Sequence, residues 1–303
     1  MSSAVGFKLE FEPRHGEAVD IAPNIQRITA CNESPFTFRG TNSYLLGGKS
    51  VAVIDPGPED EAHFQALLRG INGRPVSHII ITHTHRDHSP LAARLQEVTG
   101  AQTYAEGPHR AARPLELGEI NPLDASSDTD FEPDVVLADG QMIEGEGWAL
   151  QAIHTPGHTA NHTAFALTDS DYLFSGDHVM AWATSIVAPP DGAMSDYMAS
   201  LEVLLDREES IYFPGHGGRL ENARAFVRAL KAHRKMREKA VLERVRENDR
   251  SIQAMVKVIY RDTDPRLHQA AALSVLAHME DLVARGAVSS NGPAALDGEY
   301  WID

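Results

Sequence analysis

Apolar residues in the first two thirds of the chain form short strand-like runs that alternate with segments of helical spacing. Runs rich in β-branched residues at positions 50–54 and 79–82 predict buried strands. Helical periodicity follows each of them, at positions 59–69 and 91–98. Further short strands are predicted at positions 24–29, 43–46, 135–137, 142–143, 148–153, 172–174 and 211–213, and a further helix at 197–205. This alternation is typical of a layered α/β domain.

Two later segments depart from this pattern. Residues 106–134 are rich in Pro, Asp and Ser and have weak periodicity. We expect a long surface loop or flap near the functional site, since long loops inside compact domains are usually functional. Residues 219–250 predict one long basic helix, because they contain eleven Lys/Arg and five Asp/Glu, a local charge of +6. The rest of the chain carries a charge of −22.

Residues 251–303 are expected to form a small separate module. Helical apolar spacing is followed by two short predicted strands around a turn at 291–293, and this succession resembles a winged helix. Its predicted recognition segment contains Glu280 and Asp281, so sequence-specific DNA binding is not expected. We therefore expect three parts: a main domain at 1–218, a connecting helix at 219–250 and the winged-helix-like module at 251–303.

Composition narrows the classes of protein. The 303 residues are 42% hydrophobic, enough for one large domain with an appendage. The single cysteine, Cys31, excludes an intrachain disulfide and a multi-cysteine metal site. We expect a cytoplasmic protein without a membrane partner, because the first residues lack an apolar targeting segment and no apolar run approaches membrane-spanning length. A net charge of −16 disfavours a general nucleic-acid binder.

The densest cluster of side chains that could bind a metal follows the predicted strand at 79–82. Four side chains of metal-ligand type fall within six residues: His83, His85, Asp87 and His88. A helix could not hold all four on one face, but a loop at the carboxyl end of a strand can turn them inward. Three histidines and an acid suit a zinc-like ion and leave room for a second ion.

Three later segments repeat this arrangement. In each, an apolar or β-rich segment runs into a glycine-containing turn that presents a histidine or an aspartate. The three are His158 in Thr-Pro-Gly-His-Thr, Asp177 in Ser-Gly-Asp and His216 in Pro-Gly-His-Gly. Glycine allows backbone segments to approach closely at such turns. The repetition predicts that these side chains converge on one site.

Together, these motifs resemble those of the metallo-β-lactamase superfamily over roughly residues 20–220. The resemblance implies a four-layer αββα sandwich with a dinuclear site at one edge of its sheets, in the domain at 1–218. It also implies a ligand set for each ion. One ion would be held by His83, His85 and His158, the other by Asp87, His88 and His216, with Asp177 as the bridge between them.

Further roles follow from the same resemblance. Asp55, in Ile-Asp-Pro-Gly, matches a carboxylate that orients ligands, and His162 would place a hydrogen-bond donor behind them. Two more roles are expected from chemistry and position: Asp87 relays a proton, and His178, which follows the bridging aspartate, contacts substrate. The implied cofactors are two divalent metal ions. Zinc is expected, and iron or manganese also accept His and Asp ligands.

The basic helix carries cations on its apolar face. His233, Arg234 and Arg237 share that face with Leu230 and Val241 at a spacing of 3.6 residues. A cation on an apolar stripe needs an anionic partner or must reach water. The partner is either a structural carboxylate or a phosphate or carboxylate of the substrate, and the sequence leaves both open. In the second case, Arg234 and Arg237 bind substrate.

The His-Arg-x-x-Arg-Glu stretch at 233–238 and the winged-helix-like end are similar to the tail of the β-lactamase-like protein 2 subgroup. The resemblance then covers nearly the full chain and implies a metal-dependent hydrolase with a metal-bridging hydroxide as the nucleophile. Phosphodiester hydrolysis of single-stranded RNA is the first expectation. Glyoxalase II-like thioester hydrolysis, or hydrolysis of another small ester, is the alternative. A non-catalytic, metal-stabilised binding protein is a third class, and a homo-oligomer is compatible with all three.

Overall fold

Two β-sheets pack face to face between outer layers of helices in the computed structural model, which describes residues 5–116, 119, 121 and 124–302. Among these residues, the first sheet has seven strands, which follow one another in space as they do along the chain. They are β1 (Val19–Ala22), β2 (Ile25–Thr29), β3 (Asn42–Leu46), β4 (Val51–Ile54), β5 (Val76–Ile80), β6 (Gln102–Ala105) and β7 (Val135–Val136).

The second sheet has six strands within the described residues. They are β8 (Met142–Gly145), β9 (Trp148–His154), β10 (Thr163–Leu167), β11 (Tyr172–Gly176), β12 (Ile211–Pro214) and β13 (Leu220–Glu221). Their spatial order is β13-β12-β11-β10-β9-β8. The inner faces of both sheets meet in one apolar core, where Leu46 and Ile54 of the first sheet pack with Leu150 and Phe165 of the second.

Helices cover the outer face of each sheet. Helices α1 (Glu61–Ile71) and α2 (Leu91–Thr99) bury apolar residues against the first sheet. Helices α3 (Met194–Leu205) and α4 (Ala223–Arg246) do so against the second. The amphipathic spacing seen in the sequence therefore places helices on both outer faces, and the predicted four-layer αββα sandwich is confirmed.

The C-terminal module consists of α5 (Ile252–Ile259), α6 (His268–Ala284) and a hairpin of β14 (Ser289–Ser290) with β15 (Tyr300–Trp301). The predicted winged-helix-like module is thereby confirmed. Helix α4 joins it to the sandwich, because Leu230 lies in the core under the second sheet and Val245 lies in the C-terminal core. The same helix is thus an outer layer of the sandwich and a wall of the module. The domain boundaries at 218 and 250 remain predictions.

The structure differs from the sequence prediction at several elements. The strand predicted at 79–82 begins at Val76 and ends at Ile80, and strands β1, β6, β10 and β13 were not predicted. The basic helix begins at Ala223 instead of 219, because β13 occupies the two residues before Asn222, whose φ is +56°. Among its described residues, the predicted flap at 106–134 has one short 3-10 turn, Asp124–Ser126. Residues 117, 118, 120, 122 and 123 of that prediction lie outside the described residues.

No helix within the described ranges combines the length and the apolar character needed to cross a membrane.

Candidate metal centre

The turns that carry the predicted ligands lie at one edge of the sandwich. Strands β4 and β5 are parallel, and so are β11 and β12, so the turns after each pair emerge at a common end. Backbone hydrogen bonds tie these turns together. The Thr163 N–H donates to the carbonyl of Thr82 over 2.8 Å, and the Gly215 N–H donates to the carbonyl of Gly176 over 2.9 Å.

The turn before His158 requires glycine. Gly157 has a φ of +132°, and a Cβ atom at this position would lie 2.4 Å from the backbone nitrogen of Tyr197. Any side chain would therefore strain the backbone and collide with the start of α3. The Thr-Pro-Gly-His motif thus allows His158 to approach the cluster.

One group of three imidazoles converges through its ring nitrogens. Nε2 of His83 lies 3.0 Å from Nδ1 of His85, and Nε2 of His158 lies 3.1 Å from the same atom. Burial lowers the pKa of His83 and His158, and it lowers that of His85 to about 3. All three rings are therefore neutral near pH 7, and neutral imidazole is the form that binds metal.

A second group combines two imidazoles with the carboxylate of Asp87. Its Oδ2 lies 3.3 Å from Nε2 of His88 and 3.2 Å from Nε2 of His216. Burial alone would lower the pKa of both rings. The neighbouring aspartates instead raise the pKa of His216 to about 9 and that of His88 well above its usual range. These carboxylates therefore favour positive charge at this point, either protons or metal ions.

Asp177 lies between the two groups. Its Oδ2 is 3.7 Å from Nε2 of His158 and 3.2 Å from Nε2 of His216, and its Oδ1 is 3.7 Å from Nε2 of His88. Burial would raise the pKa of this carboxyl, but His216 and His88 hold it well below its usual range. One ionised carboxylate therefore faces both groups, as a bridging ligand must.

The donor set fits divalent cations. Nε2 of His88 and Oδ1 of Asp177 are buried and make no hydrogen bond to any described residue. Within each of three overlapping groups, one ligand atom per residue lies within 4.8 Å of the others. The groups are His83, His85 and His158; His83, His88 and Asp177; and Asp87, His88 and His216. Buried, converging imidazole and carboxylate atoms of this kind are what a divalent transition metal requires.

Asp55 and His162 lie behind the predicted ligands. Oδ2 of Asp55 accepts hydrogen bonds from Nδ1 of His88 over 2.9 Å and from Oγ1 of Thr82 over 2.7 Å. The backbone N–H of Asp177 donates to Nε2 of His162 over 3.1 Å. From the sequence, we expected His162 to place a hydrogen-bond donor behind the predicted ligands. Its Nε2 is instead an acceptor, so the proton of the neutral ring lies on Nδ1, 2.8 Å from Oγ1 of Thr155.

Two further contacts were missed by the sequence prediction. Oγ1 of Thr41 donates to Oδ2 of Asp87 over 2.9 Å, and the carbonyl oxygen of Ile186 lies 2.6 Å from Nδ1 of His158. Thr41 is 46 residues from Asp87 in sequence and belongs to no ligand motif, and any residue can supply a carbonyl. No sequence signal could have identified either contact.

Each of the three residues expected to bind substrate lies against an aromatic ring of the chain. His178 is fully buried, with its ring 4.5 Å from that of Tyr197. Arg234 is 3% exposed, and its guanidinium carbon lies 5.0 Å from the centre of the same tyrosine ring. The guanidinium carbon of Arg237 lies 4.8 Å from the ring centre of Tyr260. Among the described residues, neither arginine forms an ion pair with a carboxylate.

Comparison with known proteins gives two family matches. Residues 36–216 match the Metallo-beta-lactamase superfamily, and residues 251–296 match the Beta-lactamase associated winged helix domain. The chain is 31% identical to a Beta-lactamase-like protein 2 homolog of Drosophila melanogaster over 93% of this chain and 94% of the relative. It is 29% identical to an Atrochrysone carboxyl ACP thioesterase of Paecilomyces divaricatus, over 75% of this chain and 67% of the relative. The resemblance to the β-lactamase-like protein 2 subgroup is thereby confirmed.

Solved structures show the same fold. A beta-lactamase domain protein from Burkholderia ambifaria superposes with a TM-score of 0.78 at 20% identity, over 97% of this chain and 96% of the other. A metallo-beta-lactamase family protein from Thermus thermophilus gives 0.74 at 24% identity, over 94% and 100%. The family match covers more than half of the chain, which also has the αββα sandwich and the converging His and Asp side chains. The chain therefore belongs to the metallo-β-lactamase superfamily of generally metal-dependent hydrolases.

Proposed function

We propose that this protein is a dinuclear metal-dependent hydrolase that cleaves acyl thioesters. The observation that carries the proposal is the position of Asp177, whose carboxylate faces both the three-histidine group and the group of Asp87, His88 and His216. A protein that needed one structural ion would need neither the second group nor the shared carboxylate. We expect zinc in both positions, and iron or manganese would also suit these ligands.

The residues of the chain have separable roles in this reaction. Bound divalent ions would supply a Lewis acid and lower the pKa of water towards about 7. Asp177 holds the two ligand groups together, and Asp55 orients His88. Asp87 is the most exposed of the predicted acidic ligands, with 25% of its side chain accessible, against 8% for Asp177. Because it reaches the open side of the site, Asp87 is our candidate for carrying a proton between the nucleophile and the leaving group.

Two observations favour a thioester over RNA as the substrate. Relatives that match this chain over most of its length include proteins named as thioesterases. In addition, the basic helix α4 offers less free positive charge than its sequence predicts, since several cations are paired with carboxylates. These pairs are Lys231 with Glu202, Lys239 with Glu243 and Arg244 with Asp249. RNA binding depends on cations that are available to neutralise phosphates.

Metal analysis tests the first half of the proposal. Purified protein should contain close to two divalent ions per chain. Changing His83→Ala together with His85→Ala removes two of the converging nitrogens, so we expect loss of bound metal and of activity. His78→Ala is the matched control, because His78 packs against Tyr104 and Trp148, away from the cluster. A chain with one ion at saturation, or a double variant that keeps its activity, would contradict the dinuclear assignment.

A substrate panel tests the second half. Metal-loaded protein is incubated with S-acyl glutathione and S-acyl coenzyme A thioesters, and separately with labelled single-stranded RNA. We expect thiol release from the thioesters and intact RNA. Cleavage of RNA without thiol release would overturn the thioester assignment and support phosphodiester hydrolysis. Binding of two ions without turnover of either class would contradict both reactions.

A further inference from the structure

Arg234 of α4 reaches the loop that precedes α3. Its side chain is almost fully buried, at 3% exposure, and Nη2 donates a hydrogen bond to the carbonyl oxygen of Ser185. The guanidinium also lies over the ring of Tyr197, 5.0 Å from its centre. The sequence offered two partners for this cation, a structural carboxylate or a substrate anion. In the structure, its hydrogen-bond acceptor is a main-chain carbonyl of the loop.

The next carbonyl of that loop acts on a predicted metal ligand. The oxygen of Ile186 lies 2.6 Å from Nδ1 of His158. A carbonyl only accepts, so Nδ1 of His158 carries the ring proton, and the lone pair is on Nε2. Nε2 is the atom that faces the cluster, 3.1 Å from Nδ1 of His85 and 3.7 Å from Oδ2 of Asp177. The position of the Ile186 carbonyl therefore sets both the tautomer and the direction of His158.

Tyr197 provides a second connection from α4 to the cluster. Its hydroxyl donates to the carbonyl of His178 over 3.0 Å, and His178 directly follows Asp177. Arg234 lies against the face of the same tyrosine. Arg234 thus contacts two residues near the cluster. One is Ser185, in the loop behind His158, and the other is Tyr197, which holds the turn after Asp177.

Burial makes this arrangement costly to disturb. A guanidinium that is nearly excluded from water must keep the acceptors it has, because a buried charge without partners is strongly destabilising. Its planar fork gives directed hydrogen bonds, which a lysine ammonium does not reproduce. The loop carbonyl and the arginine therefore hold one another in place.

We propose that Arg234 is a positioning residue which, through the carbonyls of Ser185 and Ile186, fixes His158 in its metal-binding orientation. Helix α4, which also forms a wall of the winged-helix module, would then control retention of the ion held by His83, His85 and His158. The inference rests on the proposed dinuclear centre. It assigns Arg234 a role that involves no contact with substrate.

The test measures metal affinity rather than activity. Arg234→Met, Arg234→Lys and the wild type are stripped of metal and titrated with Zn2+ in competition with a chromophoric chelator. A parallel titration with Co2+ reports the ligand field of each site. Lys231→Met is the matched control, because Lys231 is a cation one turn earlier on α4 whose described partner is Glu202. Melting curves of the metal-free proteins show whether each variant is folded.

We expect Arg234→Met to lower the binding affinity for one of the two ions by about tenfold to a hundredfold. This range is typical for loss of a group that orients a ligand. The second ion should bind as in the wild type, with an unchanged Co2+ spectrum at that site. The affinity of Arg234→Lys for the first ion should lie between those of Arg234→Met and the wild type. Lys231→Met should bind both ions with wild-type affinity.

Other results would overturn the inference. If Arg234→Met binds both ions with wild-type affinity but has a raised KM, the arginine contacts substrate and does not position His158. If the affinities for both ions fall by the same factor, the substitution has caused a general loss of structure and Arg234 does not position His158. Should Arg234→Met fail to fold, the comparison of Arg234→Lys with the wild type decides, since unchanged affinity in that variant contradicts the role. A wild-type chain that binds no second ion would refute the proposed function itself, which the same titration shows separately.

Discussion

Asp55 and His88 form a buried pair in which Oδ2 of the aspartate lies 2.9 Å from Nδ1 of the histidine, with side chains 3% and 0% exposed. Asp55 also accepts hydrogen bonds from the backbone nitrogen and the hydroxyl of Thr82. Its carboxylate therefore joins the turn after β4 to the turn after β5. Because Nδ1 of His88 donates to Asp55, Nε2 is left to face Asp87 and Asp177.

Replacing Asp55→Asn should weaken metal binding at the group that contains His88. Oδ1 of the new amide could still accept from Thr82, but Nδ2 would then face Nδ1–H of His88, donor against donor. We expect metal affinity at one site to fall by about tenfold to a hundredfold. Equilibrium dialysis with metal analysis measures this effect. Asp60→Asn is the control, because Asp60 caps α1 by accepting from the backbone nitrogen of His63 and does not touch the cluster.

Unchanged affinity for both ions in Asp55→Asn would show that the Asp55–His88 pair serves the fold and not the metal.

The positions of the predicted ligands followed from local sequence. Each ligand-bearing turn consists of a strand end and a short polar motif, and in most of them a glycine too, so a few adjacent residues are enough to identify it. The pairing of the strands was harder to predict from the sequence. β6 and β10 were missed because Gln102–Ala105 and Thr163–Leu167 contain few β-branched residues. They are strands because neighbours on both sides supply hydrogen bonds and packing, which no local pattern records.

The contacts behind the ligands could not be predicted for a different reason. The sequence showed that Arg234 lies on an apolar face and needs a partner. It could not show that the partner is the carbonyl of Ser185, since every residue has a carbonyl. The same holds for Ile186 and His158. Positioning by main-chain groups depends on the path of the loop, which is determined by tertiary packing.

Gly215→Ala should remove metal without changing the backbone conformation. A Cβ atom at this position would lie 2.4 Å from Oδ1 of Asp177 and 2.7 Å from Cε1 of His88, closer than real Cβ atoms approach other atoms. Both side chains would have to move, so we expect metal content to fall to one ion or fewer per chain. Gly218→Ala is a matched control, because its Cβ would meet only Phe11 at an ordinary 3.5 Å.

Metal analysis of the two alanine variants gives the answer. Equal metal content in both would mean that the side chains of Asp177 and His88 can shift without cost to binding.

Thr41→Val tests whether the hydroxyl bound to Asp87 matters. Oγ1 of Thr41 donates to Oδ2 of Asp87 over 2.9 Å, and valine keeps the shape but removes the donor. Loss of a hydrogen bond to a charged group costs about 1.5–3 kcal/mol. We expect a raised pKa for the Asp87 carboxyl and a fall in kcat of about tenfold or more, with metal content held at saturation. Thr29→Val is the control, since its hydroxyl donates to Asn42 and not to a predicted ligand.

A fall in metal affinity with unchanged kcat would indicate instead that Asp87 is a ligand without a part in proton transfer.

His278 should make the stability of the protein depend on pH. It is 2% exposed on α6, and burial, followed by the charges of Arg234 and His233, lowers its pKa to about 3. In the unfolded chain the pKa is near 6.5, so between about pH 6.5 and pH 3 the unfolded state binds more protons. The stabilisation from the neutral ring is therefore complete above about pH 6.5 and is lost as the pH falls towards 3. Between pH 7.5 and pH 4.5 the loss amounts to about 2.7 kcal/mol, because two pH units below 6.5 cost about 1.36 kcal/mol each.

Replacement with methionine removes this proton linkage and keeps an apolar side chain of similar length. Chemical denaturation of wild type and His278→Met, both stripped of metal so that metal loss adds nothing, should be compared at pH 7.5 and pH 4.5. Other buried histidines, such as His63 with a pKa lowered to about 4, destabilise both proteins equally, so the difference between them reports His278 alone. We expect the variant to gain about 2.7 kcal/mol of unfolding free energy relative to wild type on acidification. A difference that stays constant between the two pH values would mean that the ring of His278 titrates alike in the folded and unfolded chains.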